Sequence, residues 1–314
     1  MKIKKILPIL LATTALVGCN TSGGASAPKF ASYKTETTQE AFNTAYAALE
    51  EAATYRKEDL LGSFEMKATV YSKEEITSKI KHSGKKFVNS EGYMGDLSAK
   101  YDKDHSLILQ EGETNSKKVE EDYSYSNGRT QSESTEYAYE TNTMYQVKDG
   151  VVIRACKDTE TYAEVTNVTE DTKAKYFDAM AKAFASNYTF SVAADYLEVD
   201  DDELANSKFY LDNDNLFTLV YSAETKDVDS TAGYLQSTSE TRKAQVKVTD
   251  NEFTFKSEKV VTEKNVYTEE AGSYFAGDEV ETKAVEYMEL SFKYKNVSLK
   301  AYDISKYVCY SKLS

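Results

Sequence analysis

The spacing of hydrophobic residues changes from helical to extended near the start of the chain. Over residues 39–55 apolar side chains recur every three or four positions behind a Thr37–Glu40 capping pattern, which predicts a helix. Over residues 64–70 apolar and polar side chains alternate, which predicts a half-buried strand. Weaker alternation follows at residues 76–82, 93–101, 105–110 and 119–125.

The second half of the chain repeats this order. A helical pattern covers Glu170 to Ser186, with Phe177, Ala181 and Phe184 on its apolar face. Shorter strand-like segments then occupy residues 209–211, 216–221, 244–248, 253–255, 288–294 and 304–310. The polar segments 224–242 and 263–281 are expected to be long hairpin ends or mobile loops.

Turn signals indicate how the strands are paired. The dipeptides Asn127-Gly128 and Asp149-Gly150 lie between strand-like segments, and both consist of residues that tolerate the positive φ of two-residue hairpins. No proline follows Pro28, so long strands and helices are uninterrupted by that residue. Successive hairpins imply an antiparallel sheet.

These patterns predict an α+β fold for residues 37–314. We expect one large, curved, antiparallel β-sheet of half-barrel-like shape, with two helices packed on it. The order of helix, strands, helix and strands also allows two helix-plus-sheet subdomains that divide near Val168, although no matching residue pattern supports an internal duplication.

The N-terminus predicts export and lipidation. Lysines at positions 2, 4 and 5 precede an apolar segment of about a dozen residues, which is typical of a secretory signal and too short to span a membrane. The segment ends in Leu16-Val17-Gly18-Cys19, which resembles the bacterial lipobox. The resemblance implies that residues 1–18 are removed and that Cys19 carries the lipid. Residues 19–36 are then expected to form a flexible tether.

Composition and charge narrow the classes of partner. The chain of 314 residues has 38 Lys and Arg against 52 Asp and Glu, a net charge of −14, and no Trp. Nucleic acid is therefore not an expected partner, because its phosphates require clustered positive charge. Removal of the signal leaves 35 basic and 52 acidic side chains, a net charge of −17. We expect such a body to stand away from anionic headgroups.

The sequence carries no recognisable catalytic or metal motif. His82 and His105 are the two imidazoles, and neither lies in a motif; G-x-S-x-G, H-E-x-x-H, C-x-x-C and P-loop patterns are all missing. The acidic segments 200–203 and 212–215 are interpreted as a solvated loop and a hairpin turn rather than calcium sites. We therefore predict a protein without enzymatic activity, cofactor or metal.

Two cysteines remain after Cys19. Cys156 and Cys309 lie in strand-like segments, and in an exported protein they either form a disulfide or stay as buried thiols. The sequence does not decide between these two states.

The chain as a whole resembles the LolA/LppX-type lipoproteins and lipoprotein carriers. The resemblance rests on the lipobox, the helix before Phe64, the hairpin at residues 145–151 and the mid-chain helix, and it covers most of the chain by element order. It implies an unclosed antiparallel barrel with helices as a lid over an apolar cavity. The candidate lining residues are Phe64, Met66, Phe177, Met180, Phe184 and Phe292.

Two functional hypotheses follow, both for a protein attached to the extracytoplasmic face of the cell membrane through Cys19. In the first, a cavity under the helices binds an apolar or lipid-like ligand. In the second, the core is filled, and the protein is a surface-interaction or structural lipoprotein that binds protein or cell-wall partners. They differ in whether the helix side chains pack directly on the sheet.

Overall fold

The computed structural model describes residues 29–45, 47–48, 62–124, 128–165, 168, 171–186, 203, 205–229, 233–249, 251–270 and 274–310. Thirteen strands in these residues form one sheet. In chain order they are β1 (Glu36–Thr37), β2 (Phe64–Ile80), β3 (Lys85–Asp102), β4 (Leu107–Ser124), β5 (Gly128–Lys148), β6 (Val151–Cys156), β7 (Thr161–Glu164), β8 (Lys208–Asp212), β9 (Leu216–Asp229), β10 (Tyr234–Val248), β11 (Glu252–Tyr267), β12 (Glu279–Tyr294) and β13 (Val308–Cys309).

The sheet is large, antiparallel and unclosed. Its spatial order is β1-β8-β9-β10-β11-β12-β2-β3-β4-β5-β6-β7-β13, and no pairing joins β1 to β13 in the described part of the chain. All neighbours are antiparallel except β13, which runs parallel to β7. The strands of the first and second halves of the chain meet where β12 pairs with β2, from Glu279↔Lys79 to Tyr294↔Phe64. This agrees with the single continuous sheet predicted from the sequence.

In the described part of the chain, two helices pack against the sheet, as predicted. The first, α1, covers residues 39–45 and 47–48, and the remainder of the predicted segment 39–55 lies outside the described residues. Its N-cap is Thr38, whose Oγ1 accepts a hydrogen bond from the Ala41 N–H at 3.2 Å, so the cap lies one residue later than predicted. The second, α2 (Lys173–Ser186), lies within the predicted segment.

Both helices pack on one face of the sheet, which we call the inner face. The core there includes Phe42 of α1 and Phe177 and Ala181 of α2, together with inward side chains of β2, β3, β9, β10, β11 and β12. Phe42 packs edge-on against Phe209 and Phe217, with ring centroids 5.1 and 5.3 Å apart. The Tyr101 hydroxyl donates to Asp178 Oδ1 at 3.3 Å, which joins β3 to α2. The helices thus cover this face at one end of the sheet, which we call the proximal end.

The strands extend far beyond the core toward a distal end. Hairpins β10–β11 and β11–β12 are paired continuously as far as Tyr234↔Tyr267 and Val266↔Glu279. The polar segments 224–242 and 263–281 therefore belong largely to long hairpins, the first of the two interpretations offered by the sequence. They lack apolar alternation because no second layer in the described residues covers them.

The predicted turns are largely confirmed. Asp149 and Gly150 connect β5 to β6 with φ of 50° and 81°, the positive pair that a type I′ hairpin requires. Residues 213–215 form a 3-10 turn between β8 and β9, as expected for a hairpin connection. Asn127 lies outside the described residues, although β4 and β5 on either side of it are paired.

Candidate functional site on the outer face

The N-terminal segment crosses the outer face of the sheet as an extended strap. Lys29 O accepts a hydrogen bond from Lys256 Nζ at 3.0 Å, and Ala31 is held by Gln245. The Gln245 Oε1 accepts from the Ala31 N–H at 2.8 Å, and its Nε2 donates to the Ala31 carbonyl at 3.1 Å. Gln245 is only 4% exposed, so the strap covers it. We call residues 29–37 the N-terminal strap.

The far end of this strap is fixed at the sheet edge. The Asp212 carboxylate accepts hydrogen bonds from the Lys34 and Thr35 amides at 3.0–3.2 Å. Burial alone would raise the pKa of Asp212, but hydrogen bonds from Thr35 and Lys34 hold it below its ordinary value. Residues 36–37 then pair with β8. Residues 29–36, predicted to belong to a flexible tether, are therefore bound to the sheet in this structure.

The C-terminal segment crosses the other half of the same face. Gln146 Oε1 accepts from the Tyr302 N–H at 2.7 Å, and its Nε2 donates to the Tyr302 carbonyl at 3.0 Å. Val308 and Cys309 then form β13 beside β7. We call residues 295–310 the C-terminal strap. Gln146 and Gln245 make the same two-bond contact with the backbone of one strap residue, each from a buried position on the outer face.

Asp102 anchors the C-terminal strap to the turn after β3. Its buried carboxylate accepts the Leu299 N–H at 2.8 Å and lies 2.8 Å from His105 Nδ1. Burial alone would raise the pKa of Asp102, but the hydrogen bonds from Leu299 and His105 lower it. His105 is thus a partner of a structural carboxylate.

A second, smaller hydrophobic core lies beneath the C-terminal strap. Ile153, Ala155 and Ile304 are buried there, and Tyr162, Tyr302 and Tyr307 pack against them. The sheet is therefore covered on both faces in this half, by helices on the inner face and by the strap on the outer face.

An open groove of about 420 Å³ lies on the outer face of β2, β3, β4 and β5. Six of the nine lining residues occupy outward-facing positions. The other three, Ala68, Leu97 and Gly112, alternate with them along the strands, and Ala68 and Leu97 also belong to the inner-face core. The lining residues are Lys67, Ala68, Thr69, Asp96, Leu97, Ser98, Glu111, Gly112 and Asn142.

Hydrogen bonds organise the groove walls. Thr69 Oγ1 donates to Asp96 Oδ1 at 2.5 Å, Lys100 Nζ donates to Glu111 Oε2 at 3.2 Å, and Asn142 Nδ2 donates to an oxygen of the Asp158 carboxylate at 2.8 Å. The lining thus presents carboxylates, hydroxyls, an amide and one lysine. Such a lining suits a ligand rich in hydrogen-bonding groups.

Two tyrosines interact electrostatically with this wall. Burial, followed by the negative charge of Glu111, raises the pKa of Tyr302 to about 12. Burial and the hydrogen bond to Glu289 likewise raise the pKa of Tyr287. The negative charge of Asp96 raises this pKa further. Both phenols therefore stay protonated at neutral pH and can act as donors.

The predicted cavity-lining residues do not lie in this groove. Phe64, Met66, Phe177 and Phe292 belong to the inner-face core and are no more than 2% exposed. A side chain that borders a void large enough for a ligand would retain surface accessible to water, so these four contact protein atoms instead. Met180 is half-buried and packs against the same core. Phe184 lies on α2, and its side chain is outside the described residues.

Cys156 and Cys309 are not joined to each other. The strand β7 lies between them, because Cys156 pairs with Thr161 and Cys309 with Tyr162. Two strand spacings amount to about 9.5 Å, whereas the Cα atoms of a disulfide lie within about 7 Å. The disulfide that the sequence allowed is thus not formed in this arrangement.

The described residues include neither a cluster of metal-ligating side chains nor a helix of membrane-spanning length. Within the described residues, no group of three or more His, Cys, Asp or Glu side chains is placed to hold a metal ion. No helix in that part of the chain is long and apolar enough to cross a membrane. His82 lies in the exposed turn between β2 and β3, with its ring 5.0 Å from that of Phe275.

The straps were not foreseen from the sequence. Gln146 and Gln245 each have an apolar residue on both sides in the sequence. They therefore resemble ordinary outward-facing positions of half-buried strands. Their partners are 156 and 214 residues away in the chain. The one available signal was the presence of an amide side chain amid β-branched and aromatic neighbours.

Comparisons with known proteins identify no family. No protein-family model matches the chain, and no curated protein matches it. Among solved structures, the outer membrane protein OprG from Pseudomonas aeruginosa is 7% identical, with a TM-score of 0.23 over 74% of this chain and 95% of its own. OccK7 (OpdD) from Pseudomonas aeruginosa is 6% identical, with a TM-score of 0.16 over 73% of this chain and 99% of its own. Scores this low do not define a shared fold.

Proposed function

We propose that the protein is an exported lipoprotein, held at the extracytoplasmic face of the cell membrane through Cys19, that binds a protein or cell-wall partner without catalysing a reaction. The outer-face groove is its binding surface. The anchor is supported by the order of charged residues, apolar segment and lipobox at the N-terminus.

The observation that carries the binding proposal is the contrast between the two faces of the sheet. The inner face is closed by α1 and α2 over fully buried Phe64, Phe177 and Phe292. The outer face has an open groove of about 420 Å³ whose lining includes carboxylate, hydroxyl, amide and lysine side chains. Recognition of a ligand with hydrogen-bonding groups fits the outer face, whereas an apolar ligand would require the space that the inner-face side chains occupy.

The position of the N-terminal strap suits an anchored protein. Lys29 lies ten residues after Cys19 in the sequence, and both Lys29 and Ala31 are hydrogen-bonded to the sheet. A pull on the anchor would therefore be transmitted to Gln245 and to the Asp212 carboxylate. The sheet, rather than a single terminal residue, would bear the load.

Site-specific photo-crosslinking in living cells tests the groove. A photoreactive residue at Lys67, which is exposed and lines the groove, should yield a covalent adduct with a protein or cell-wall fragment. The same residue at Lys300, equally exposed but on the C-terminal strap, serves as the matched control. Adding Asp96→Asn and Glu111→Gln should reduce the Lys67 adduct severalfold. Equal adducts at both positions, or none at Lys67, would contradict the proposal.

The anchor is tested separately by mass spectrometry of the mature N-terminus. Wild-type protein should begin at Cys19 and carry acyl chains, and Cys19→Ala should retain its signal and lack them. An unmodified wild-type N-terminus would refute lipidation and leave the groove proposal intact.

A further inference from the structure

The distal end of the sheet presents large apolar side chains to solvent. It is formed by the β2–β3 turn at residues 81–84 and by the connection between β11 and β12. Phe87, Leu235 and Phe275 lie at or near this end and are 38%, 43% and 44% exposed. Phe87 is on β3 opposite Ser78, and Leu235 is on β10 opposite Val266, each within a few residues of its hairpin end.

Phe275 is held in place by a fully buried carboxylate. Asp278 is 0% exposed and accepts hydrogen bonds from the Phe275 N–H at 2.9 Å and the Lys81 N–H at 2.8 Å. The backbone of Tyr267 pairs with both Asp278 and Gly277. Gly277 has φ of 92°, a conformation that side-chain-bearing residues rarely adopt. Asp278 therefore ties the β2–β3 turn to the β11–β12 connection and presents Phe275 on a preorganised support.

Aromatic rings lie at the same end of the sheet. Tyr267 stacks on Tyr274 with centroids 4.6 Å apart and planes inclined by 18°, and Tyr234 contacts Tyr267 at 5.6 Å. The His82 ring meets Phe275 edge-on at 5.0 Å. Tyrosine has an apolar ring and a polar hydroxyl, a combination suited to the boundary between water and an apolar phase.

Lysines surround the tip in an otherwise acidic protein. The stretch from Lys79 to Phe87 includes Lys81, Lys85 and Lys86, all exposed, and contains no acidic residue. Nearby Glu279 is engaged by Lys264 at 3.0 Å and by Lys79 at 3.5 Å.

Acidic residues also lie close to this end. Glu269 and Glu270 are exposed in the β11–β12 connection, and residues 120–122 of β4 are acidic and lie opposite residues 87–89 of β3. The lysines that lie together at this end are thus those of residues 79–86, at the end of the β2–β3 hairpin.

We propose that this distal tip docks on the surface of a phospholipid bilayer. Phe87, Leu235 and Phe275 would enter the boundary between headgroups and acyl chains, and the tyrosines would lie at headgroup level. The lysines of residues 79–86 would contact lipid phosphates. Because charges farther than about 8 Å are largely screened at physiological salt, the acidic body does not prevent contact by the tip. The positive charge of the lysines favours binding to phosphate-bearing lipid headgroups over binding to an uncharged or cationic partner.

Vesicle flotation tests the proposal without the lipid anchor. The chain from Asn20 to Ser314, which contains every described residue and lacks Cys19, is mixed with vesicles of phosphatidylglycerol and phosphatidylethanolamine. We expect wild type to float with the vesicles. The partition coefficient of Leu235→Ser/Phe275→Ser onto the vesicles should be lower by about tenfold or more, since two large apolar side chains no longer insert.

A matched variant controls for loss of exposed apolar surface in general. Val308→Ser/Tyr310→Ser removes side chains that are 46% and 62% exposed at the C-terminal strap, away from the tip, and should float like wild type. Lys81→Gln/Lys85→Gln should lower the floated fraction and flatten its dependence on salt. Circular dichroism melts of each variant establish that it is folded.

Three results would overturn the proposal. They are wild type that stays with the soluble fraction, tip variants that float as well as wild type, and a C-terminal-strap variant that loses flotation equally. A wild type that does not float but forms tip-dependent crosslinks to an envelope protein would replace the bilayer with a protein partner. Because the chain lacks Cys19, none of these results depends on lipidation.

Discussion

Replacement of Gln245 by leucine should detach the part of the N-terminal strap near Ala31 while leaving the sheet folded. Leucine has a similar size but can neither accept the Ala31 N–H nor donate to the Ala31 carbonyl. The Gln245 Nε2 also donates to Thr218 Oγ1 at 3.0 Å, so three hydrogen bonds are lost in all. Ala31 itself is exposed, so water can solvate its backbone once the strap lifts.

The size of the effect follows from the two bonds that join Gln245 to Ala31, because the bond to Thr218 lies within the sheet and does not hold the strap. Each contributes about 1 kcal/mol net, which gives about 2 kcal/mol for local detachment. A factor of ten corresponds to about 1.4 kcal/mol, so the Ala31 amide should exchange with solvent roughly 30-fold faster. The strap remains paired through residues 36–37 and Asp212, so the increase should be confined to the segment near Ala31.

Hydrogen exchange resolved by NMR or mass spectrometry measures this directly. Gln236→Leu, the same substitution at a half-buried position of the same strand, is the control and should leave Ala31 exchange unchanged. Unchanged exchange in Gln245→Leu would refute the role assigned to the glutamine. Equal acceleration throughout the sheet would instead show that the strap is not an independently opening unit.

Three further predictions concern the core, the C-terminal strap and the tip. Phe177→Asp should destabilise the protein by several kcal/mol in urea melts, because it buries an unpaired charge at a 1% exposed position; near-wild-type stability would point to an open cavity. Asp102→Asn should cost about 2–4 kcal/mol at neutral pH through weaker bonds to Leu299 and His105. The native pKa of Asp102 lies below its unfolded value near 3.9, so this stabilisation is present above that pH and lost as the pH falls through the native pKa. If the difference in stability between wild type and Asp102→Asn does not shrink in acid, the role assigned to Asp102 is wrong. Gly277→Ala should lower the melting temperature, since alanine is strained at φ of 92°, and an unchanged melt would argue against a rigid tip.

The proximal half of the sheet could be predicted because it has a buried face. In residues 64–70 and 288–294 the inward side chains are apolar and the outward ones polar, so the period of two is visible. The distal halves of the same strands, such as residues 71–80 and 279–286, pair just as continuously. Apart from the weak alternation over residues 76–82, these distal halves were not predicted as strands, because backbone pairing leaves little hydrophobic pattern where neither face is deeply buried.

The outer-face site was beyond the reach of local patterns. The composition of the groove depends on the register of four separate strands, which places their outward-facing residues side by side. Ser98 of β3, for example, lies opposite Glu111 of β4. The straps depend on contacts between the chain termini and mid-sheet positions. The cysteines illustrate the same limit, because their separation by β7 follows from β13 joining that strand in parallel, which no alternation of residues indicates.

Mass spectrometry of the organic extract tests the central claim, a packed inner face with binding on the outer face, most directly. The chain without Cys19 is exported from a bacterial host, purified without detergent and extracted before and after incubation with membrane lipids. We predict no stoichiometric lipid in either extract, because Phe64, Met66, Phe177 and Phe292 fill the space beneath the helices. One lipid per protein, retained through purification and lost in Phe177→Trp, would contradict the account and restore an apolar cavity.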